Sequence, residues 1–224
     1  MPTQLRPFLF ATFATLIAGF VDAVGYAHLG GLFLSFMSGN STRLGMQMAI
    51  GNWHVVGLAA TVIGCFLGGA FLGTLIADAT RDWKLVAILS AEVALFALAV
   101  VLTADGAGFV DMLPVAVAMG MQNSVHQIIA GADIGKSFVT GALFGLGQSL
   151  ARMLSGKSSP KEAAAYASSW ASFVLGALIG TLLLAAVGLS MTLVGGGLLL
   201  AALAATAYAF HGVLIRPVGE SGGD

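Results

Sequence analysis

Two carboxylate side chains interrupt stretches of the sequence that are otherwise apolar, and they are the first candidates for chemistry. Asp22 lies within the first apolar stretch and Glu92 within the third. If these stretches cross a membrane, a carboxylate there costs several kcal/mol unless it faces a partner or a water-filled cavity. Asp22 and Glu92 are therefore candidate coupling residues for a proton or cation. The alternatives are a capping role for Asp22 near Gly25, and for Glu92 an ion pair with Arg43 or a position at the inner interface.

A polar run, Ser38-Gly39-Asn40-Ser41-Thr42-Arg43, follows the first apolar stretch. Glycine permits close approach of the main chain, and an amide side chain both donates and accepts hydrogen bonds. Such a run can interrupt a helix inside a membrane and offer neutral hydrogen-bonding groups, so we predict Ser38, Gly39 and Asn40 as substrate-binding residues. Arg43 could hold an anionic group or neutralise Asp22. An ordinary polar helix cap is the alternative.

The second half of the chain carries its own polar cluster, formed by Gln122, Asn123, His126 and Gln127. Residues four apart are neighbours on a helix surface, so these side chains predict a water-exposed strip along one helix. Interhelical hydrogen bonds that serve only packing are the alternative. Further along, Thr140 and Gly141 repeat the hydroxyl and glycine of the first polar run. We add to the predicted substrate-binding residues Asn123, His126, Gln127, Thr140 and Gly141. No spacing of ligating residues fits a metal site, and we expect neither a catalytic set nor a cofactor.

The composition requires a membrane as the main solvent. Of the 224 residues, 58% are hydrophobic and 8% are charged, and the mean hydropathy is +0.96. Soluble domains carry about 25% charged residues, so this chain could not cover its surface in water. A net charge of −1 without a basic patch excludes nucleic acid as a partner. The expected partners are the lipid bilayer and a small solute of unknown identity, and a homo-oligomer stays open.

Hydropathy predicts an all-α, polytopic membrane protein. A spanning helix needs about 20 mostly apolar residues. Six stretches qualify: 8–27, 55–77, 85–104, 109–130, 167–187 and 190–210. Two softer regions, 30–52 and 136–154, are apolar but are interrupted by small and polar residues. If these regions are re-entrant or broken helices, the chain has six spans. If they cross the membrane fully, it has eight.

The distribution of basic residues favours six spans. Lys and Arg collect in short cytoplasmic loops. With a cytoplasmic N-terminus, the six-span topology places eight of the nine Lys and Arg residues inside, and the eight-span topology places five there. We therefore predict that both termini are cytoplasmic, and the eight-span topology remains the alternative.

The two halves of the chain resemble each other. Residues 66–75 and 173–182 are identical at six of ten positions at an offset of 107. Gly19…Asp22 matches Gly120…Asn123 at an offset of 101, and residues 36–39 match 138–141 at 102. We predict two repeats, residues 1–107 and 108–224. Three spans in each make the second copy inverted, and inverted repeats place a site near the midplane. There we expect Asp22, Asn40, Asn123 and His126 to converge.

These motifs resemble a known family. Gly19-Phe20-Val21-Asp22-Ala23, Phe33 and Met37-Ser38-Gly39-Asn40 are similar to the pattern G-x-x-D-A … F … M-T-G-N of the YoaK-like family of bacterial membrane proteins. The resemblance covers nearly the whole chain and departs at Ser38, where the family usually has another hydroxyl residue, Thr. It implies an uncharacterised multi-pass protein of the bacterial inner (plasma) membrane and supplies no substrate.

The features together predict a small-solute transporter or channel that could be proton-coupled through Asp22 or Glu92. An intramembrane enzyme is one alternative, because Met37-Ser38-Gly39 resembles the serine–glycine of rhomboid-type proteases and His211 ends the last stretch. The rhomboid pattern, however, needs a glycine where Phe36 stands. A membrane scaffold subunit is the other alternative.

Overall fold

The computed structural model of the chain describes residues 2–104, 106, 108–130 and 138–211. In residues 2–7, 126–130 and 138 it describes the main chain alone. The described part is helical. Its α-helices are α1 (Pro2–His28), α2 (Met37–Ala49), α3 (Trp53–Thr80), α4 (Lys84–Ala104), α5 (Leu113–Ala130), α6 (Phe138–Leu154) and α7 (Pro160–Ala209).

Three helical segments of the described chain are long and apolar enough to cross a membrane: Phe8–His28, Trp53–Ala104 and Pro160–Ala209. The second segment contains α3 and α4, which a short 3-10 turn, Arg81–Trp83, separates. The third is α7, which breaks at Gly188 (φ 76°, ψ 176°) into a first arm (160–187) and a second arm (189–209). The break lies between the apolar stretches 167–187 and 190–210 that hydropathy predicts. The chain is thus an all-helical membrane protein.

Glycines allow α1 to pack directly against the first arm of α7. A Cβ added to Gly176 would overlap the main-chain oxygen of Leu16, and a Cβ on Gly19 would overlap that of Phe173. Lipid gives no hydrophobic drive for helices to associate, so membrane helices rely on this close approach of small residues. This contact connects the beginning of the chain to its end.

The same kind of contact joins α3 to α5. A Cβ on Gly69 would overlap the main-chain oxygen of Val117, and one on Gly120 would overlap that of Phe66. By contrast, a Cβ on Gly64 of α3 would meet no atom within 4 Å. Only some of the glycines in these helices are therefore needed for packing.

The second arm of α7 runs antiparallel to α4. The hydroxyl of Thr103, near the end of α4, lies 2.6 Å from that of Ser190 at the start of the second arm. Phe96 is fully buried, and its ring lies beside Gly196. At the opposite end, the rings of Trp83 and Tyr208 have their centroids 5.8 Å apart.

The two softer regions form helices that are shorter than a membrane span. The helix α2 has 13 residues and α6 has 17. At a rise of about 1.5 Å per residue these helices are roughly 20 Å and 25 Å long, against a hydrocarbon core of about 30 Å. Before α2, residues 29–36 leave the end of α1 as a non-helical segment.

Candidate functional site

Asp22 holds the non-helical segment against α1. Its Oδ1 accepts hydrogen bonds from the main-chain N–H groups of Leu34 (2.8 Å) and Ser35 (2.6 Å). Its Oδ2 accepts a bond from the Ser35 hydroxyl at 2.7 Å. Leu34 also packs beside Gly25, where a Cβ would stand 2.6 Å from the leucine side chain. The carboxylate therefore provides acceptors for main-chain donors that no helix satisfies.

Asn40 holds the same segment from the α2 side. Its Oδ1 accepts from the main-chain N–H of Phe33 at 2.9 Å, and its Nδ2 donates to the Phe33 carbonyl at 2.7 Å. The Asn40 side chain is fully buried. This amide supplies both the donor and the acceptor that a neighbouring strand would otherwise supply, which is why an amide suits the position.

Arg43 also bonds to the segment and does not pair with Asp22. Its Nη1 donates to the carbonyl of Gly31 at 2.7 Å, where the main chain has a positive φ of 93°. In the described part of the chain, Asp111 instead contacts His28, with Oδ1 and Nε2 3.3 Å apart. Neutralisation of Asp22 by Arg43 is therefore not observed in this conformation.

The structure places the other predicted site residues more loosely. Ser38 and Thr140 are exposed, and a Cβ on Gly39 would stand 2.6 Å from the Phe36 ring. The half-buried Asn123 donates from Nδ2 to the Met119 carbonyl within its own helix, at 3.0 Å. Gly141 is half-buried in the first turn of α6.

Two predicted site residues, His126 and Gln127, have side chains outside the described residues. The structure therefore brings Asp22 and Asn40 together on one segment. The convergence of these two with Asn123 and His126 stays a prediction.

Glu92 lies on the buried face of α4. Its exposed fraction is 0%, and neither carboxyl oxygen has a hydrogen-bond partner. The ion pair with Arg43 that the sequence offered as an alternative does not form, because Arg43 bonds to Gly31.

Sequence reasoning missed a crevice of about 480 Å³ at the end of α1. The Nε2 of His28 lies 3.3 Å from Asp111 Oδ1 and 3.2 Å from the Gly108 carbonyl. The hydroxyls of Thr103 and Ser190 also line this crevice. Neither pair could be found from spacing, because 83 and 87 residues separate the partners. Among the described residues, no group of His, Cys, Asp and Glu could hold a metal ion.

The fold and the buried polar groups define the chain as a multi-pass helical membrane protein. Residues 10–206 match the family described as "Protein of unknown function (DUF1275)", and the chain belongs to that family. Over 142 residues the chain is 30% identical to a UPF0700 transmembrane protein of Rhizobium meliloti (strain 1021). That match covers 63% of this chain and 60% of the relative. No solved structure is a significant match. An uncharacterised membrane protein family is thereby confirmed, although neither match carries the YoaK name.

Proposed function

We propose that the protein is a small-solute transporter or channel of the bacterial inner membrane, built from two halves of opposite orientation. The solute path lies between these halves, close to the interrupted segment that Asp22 and Asn40 hold. One observation carries the proposal: each glycine contact between the two halves recurs with the halves exchanged.

The recurring contacts have the same offsets, 101 and 107, as the sequence matches between the two halves. Adding 101 to a residue of α1 gives a residue of α5, and subtracting 107 from a residue of α7 gives one of α3. Each contact joins a glycine to the residue that a Cβ on that glycine would meet. Gly19–Phe173 corresponds to Gly120–Phe66, Gly176–Leu16 to Gly69–Val117, and Gly180–Phe20 to Gly73–Met121. Composition alone would not repeat contacts between distant helices, so a duplication is supported independently of sequence identity.

Contacts at the two ends of the bundle support six crossings rather than eight. His28, at the end of α1, contacts Asp111, just before α5. With six crossings both residues lie outside, whereas eight crossings would separate them by the whole bilayer. Trp83 and Tyr208 lie together at the other end, and they too would be separated by eight crossings. With six crossings α1 and α5 run in opposite directions, which makes the repeat inverted.

The interrupted segment is what favours transport over anchoring. Non-helical main chain at membrane depth is tolerated where protein buries it or where it lines a water-filled path. Transporters with inverted repeats use such interruptions to expose main-chain groups to a solute near the midplane. We place Ser38, Gly39 and Asn40 on this path, with Asn123, His126, Gln127, Thr140 and Gly141 contributed by the other half.

The enzyme alternative is less well supported. His211, which the sequence pairs with Ser38, donates a 2.6 Å hydrogen bond from Nε2 to the Asp82 carbonyl and stacks on Trp83. It lies at the end of the bundle that the six-crossing arrangement puts inside, whereas Ser38 follows the outer end of α1.

A ligand screen followed by uptake tests this function. The purified protein is heated with a panel of radiolabelled metabolites, because a ligand of the folded state raises the apparent melting temperature. Each compound that does so is offered to proteoliposomes and to protein-free liposomes. We expect at least one stabilising compound to accumulate unchanged only where the protein is present. A stabilising compound that stays outside contradicts transport, and one that is chemically altered indicates an enzyme.

Two glycine variants of α2 sharpen the uptake experiment. A side chain at Gly39 would displace the rings of Phe36 and Phe33, whereas a Cβ at Gly45 would meet no atom within 4 Å. We expect Gly39→Leu to abolish uptake and Gly45→Leu to retain it. Equal uptake by both variants would show that the segment near Gly39 is an ordinary helix cap.

A further inference from the structure

The buried face of α4 contains one ionisable side chain, that of Glu92. The other residues buried on this face are apolar: Leu85, Ile88, Leu89, Phe96 and Ala99. Glu92 has no exposed surface, and both of its carboxyl oxygens are without hydrogen-bond partners. Asp22 differs, because its carboxyl accepts three hydrogen bonds from residues 34 and 35.

The elements around α4 offer Glu92 no counter-charge among the described side chains. The helices packed on α4 are α3, α5 and α7, with the turns at Arg81–Trp83 and Gly108–Met112. Their ionisable side chains are His54, Cys65, Asp78, Arg81, Asp82, Asp111, Lys161, Glu162, Tyr166, Tyr208 and His126, the last outside the described side chains. None of those described forms an ion pair or hydrogen bond with Glu92.

These surroundings favour a proton, rather than a metal cation or an unpaired charge, at the carboxyl group. An ionised carboxylate without a partner is strongly disfavoured in a dry interior. A metal cation needs several oxygen ligands, and Glu92 belongs to no group of possible ligands in the described chain. A proton needs only one carboxyl oxygen, and it removes the charge.

We propose that Glu92 is an intramembrane proton-binding site, protonated in this conformation and able to exchange its proton when α4 separates from the second arm of α7. One turn further along α4, Phe96 packs beside Gly196, within the run Gly195-Gly196-Gly197. A small displacement of this glycine-rich surface would admit water. The carboxylic acid then gives its proton to water and remains as a hydrated carboxylate, and it must regain a proton before the surfaces close again.

Glu92 lies one turn before Phe96, which packs beside Gly196 in the second arm of α7, and the proposed duplication assigns α4 and this arm to different halves. The protonation of Glu92 would therefore follow the packing between the proposed halves. If the proposed transport function holds, Glu92 rather than Asp22 is the coupling residue. That additional step rests on the proposed function, whereas the proton site rests only on the surroundings of Glu92.

Infrared spectroscopy of the protein in lipid bilayers tests the proton site directly. The chain has three glutamates, Glu92, Glu162 and Glu220, so labelling glutamate carboxyl groups with carbon-13 leaves few bands to assign. At neutral pH we expect a carboxylic-acid C=O band that shifts with the label and is absent from Glu92→Gln. The controls Glu162→Gln, at an exposed position, and Glu220→Gln should keep the band.

The possible outcomes separate the two claims. The proton site is overturned, whatever the protein transports, by either of two results. One is a spectrum whose label-sensitive bands are all carboxylate bands, and the other is an acid band that survives in Glu92→Gln. The labelled wild type answers the question even if Glu92→Gln does not fold. If the acid band is present, uptake of a compound from the screen should depend on the pH gradient in wild type and lose that dependence in Glu92→Gln. Unchanged dependence removes the coupling role and leaves the proton site standing.

Discussion

Gly176→Leu is expected to leave almost no folded protein in the membrane, whereas Gly64→Leu accumulates at the wild-type level. A Cβ at Gly176 would overlap the main-chain oxygen of Leu16, and no rotamer change can relieve a collision with the main chain. Overpacking a well-packed core typically costs about 1–3 kcal/mol, and a leucine against a neighbouring helix axis exceeds this range. At Gly64 the added side chain enters open space.

The measurement is the amount of monodisperse protein recovered after detergent extraction, compared with the total that the membranes contain. Gly69→Leu is expected to fail in the same way as Gly176→Leu, because the same contact recurs between Gly69 and Val117. If Gly69→Leu folds while Gly176→Leu does not, the two contacts are not equivalent, and the structural support for a duplication weakens.

Asp22→Ala is expected to release residues 34 and 35 from α1 and to destabilise the protein by roughly 2–6 kcal/mol. The estimate takes about 1–3 kcal/mol for each buried N–H that loses its partner, and Asp22 Oδ1 accepts from two, those of Leu34 and Ser35. Asp22→Asn keeps an oxygen for both N–H groups, and the Ser35 hydroxyl can accept from the new amide instead of donating. The amide variant should therefore keep most of the stability.

Thermal unfolding of the three proteins in the same detergent gives the comparison. A melting temperature of Asp22→Asn close to wild type, with a large drop for Asp22→Ala, would identify the acceptor geometry rather than the charge as the property that matters. An equally large drop for both variants would mean that the negative charge of Asp22 is needed, and Asp22 would return as a candidate coupling residue.

Hydropathy predicted the helices well because a helix that crosses lipid needs a long run of mostly apolar residues. The predicted stretches 55–77 and 85–104 correspond to α3 and α4, and Gly188, which has a positive φ, lies between the predicted stretches 167–187 and 190–210. The glycine contacts were partly visible as sequence matches, since a position where two main chains touch admits little besides glycine.

The partners of the polar residues could not be predicted in the same way. The donors to Asp22 include the main-chain N–H groups of Leu34 and Ser35. Nearly every residue carries such a group, so the residue types do not indicate which ones bind. Charge suggested a pair between Asp22 and Arg43, but the guanidinium reaches the Gly31 carbonyl because residues 29–36 turn back beside both helices. Such choices depend on the path of a non-helical segment, and sequence periodicity carries no information about that path.

Cysteine accessibility in intact cells reports whether the two halves have opposite orientations in the membrane. On a Cys65→Ala background, single cysteines are placed at three exposed positions, in the variants Ala104→Cys, Asp82→Cys and Ser155→Cys. None of these changes removes a basic residue, so the charge signals that set topology are preserved. We expect a membrane-impermeant thiol reagent to modify residue 104 in intact cells and to modify residues 82 and 155 only after permeabilisation. Modification of residue 82 from outside, with residue 104 protected, would contradict six crossings and with them the inverted arrangement of the halves.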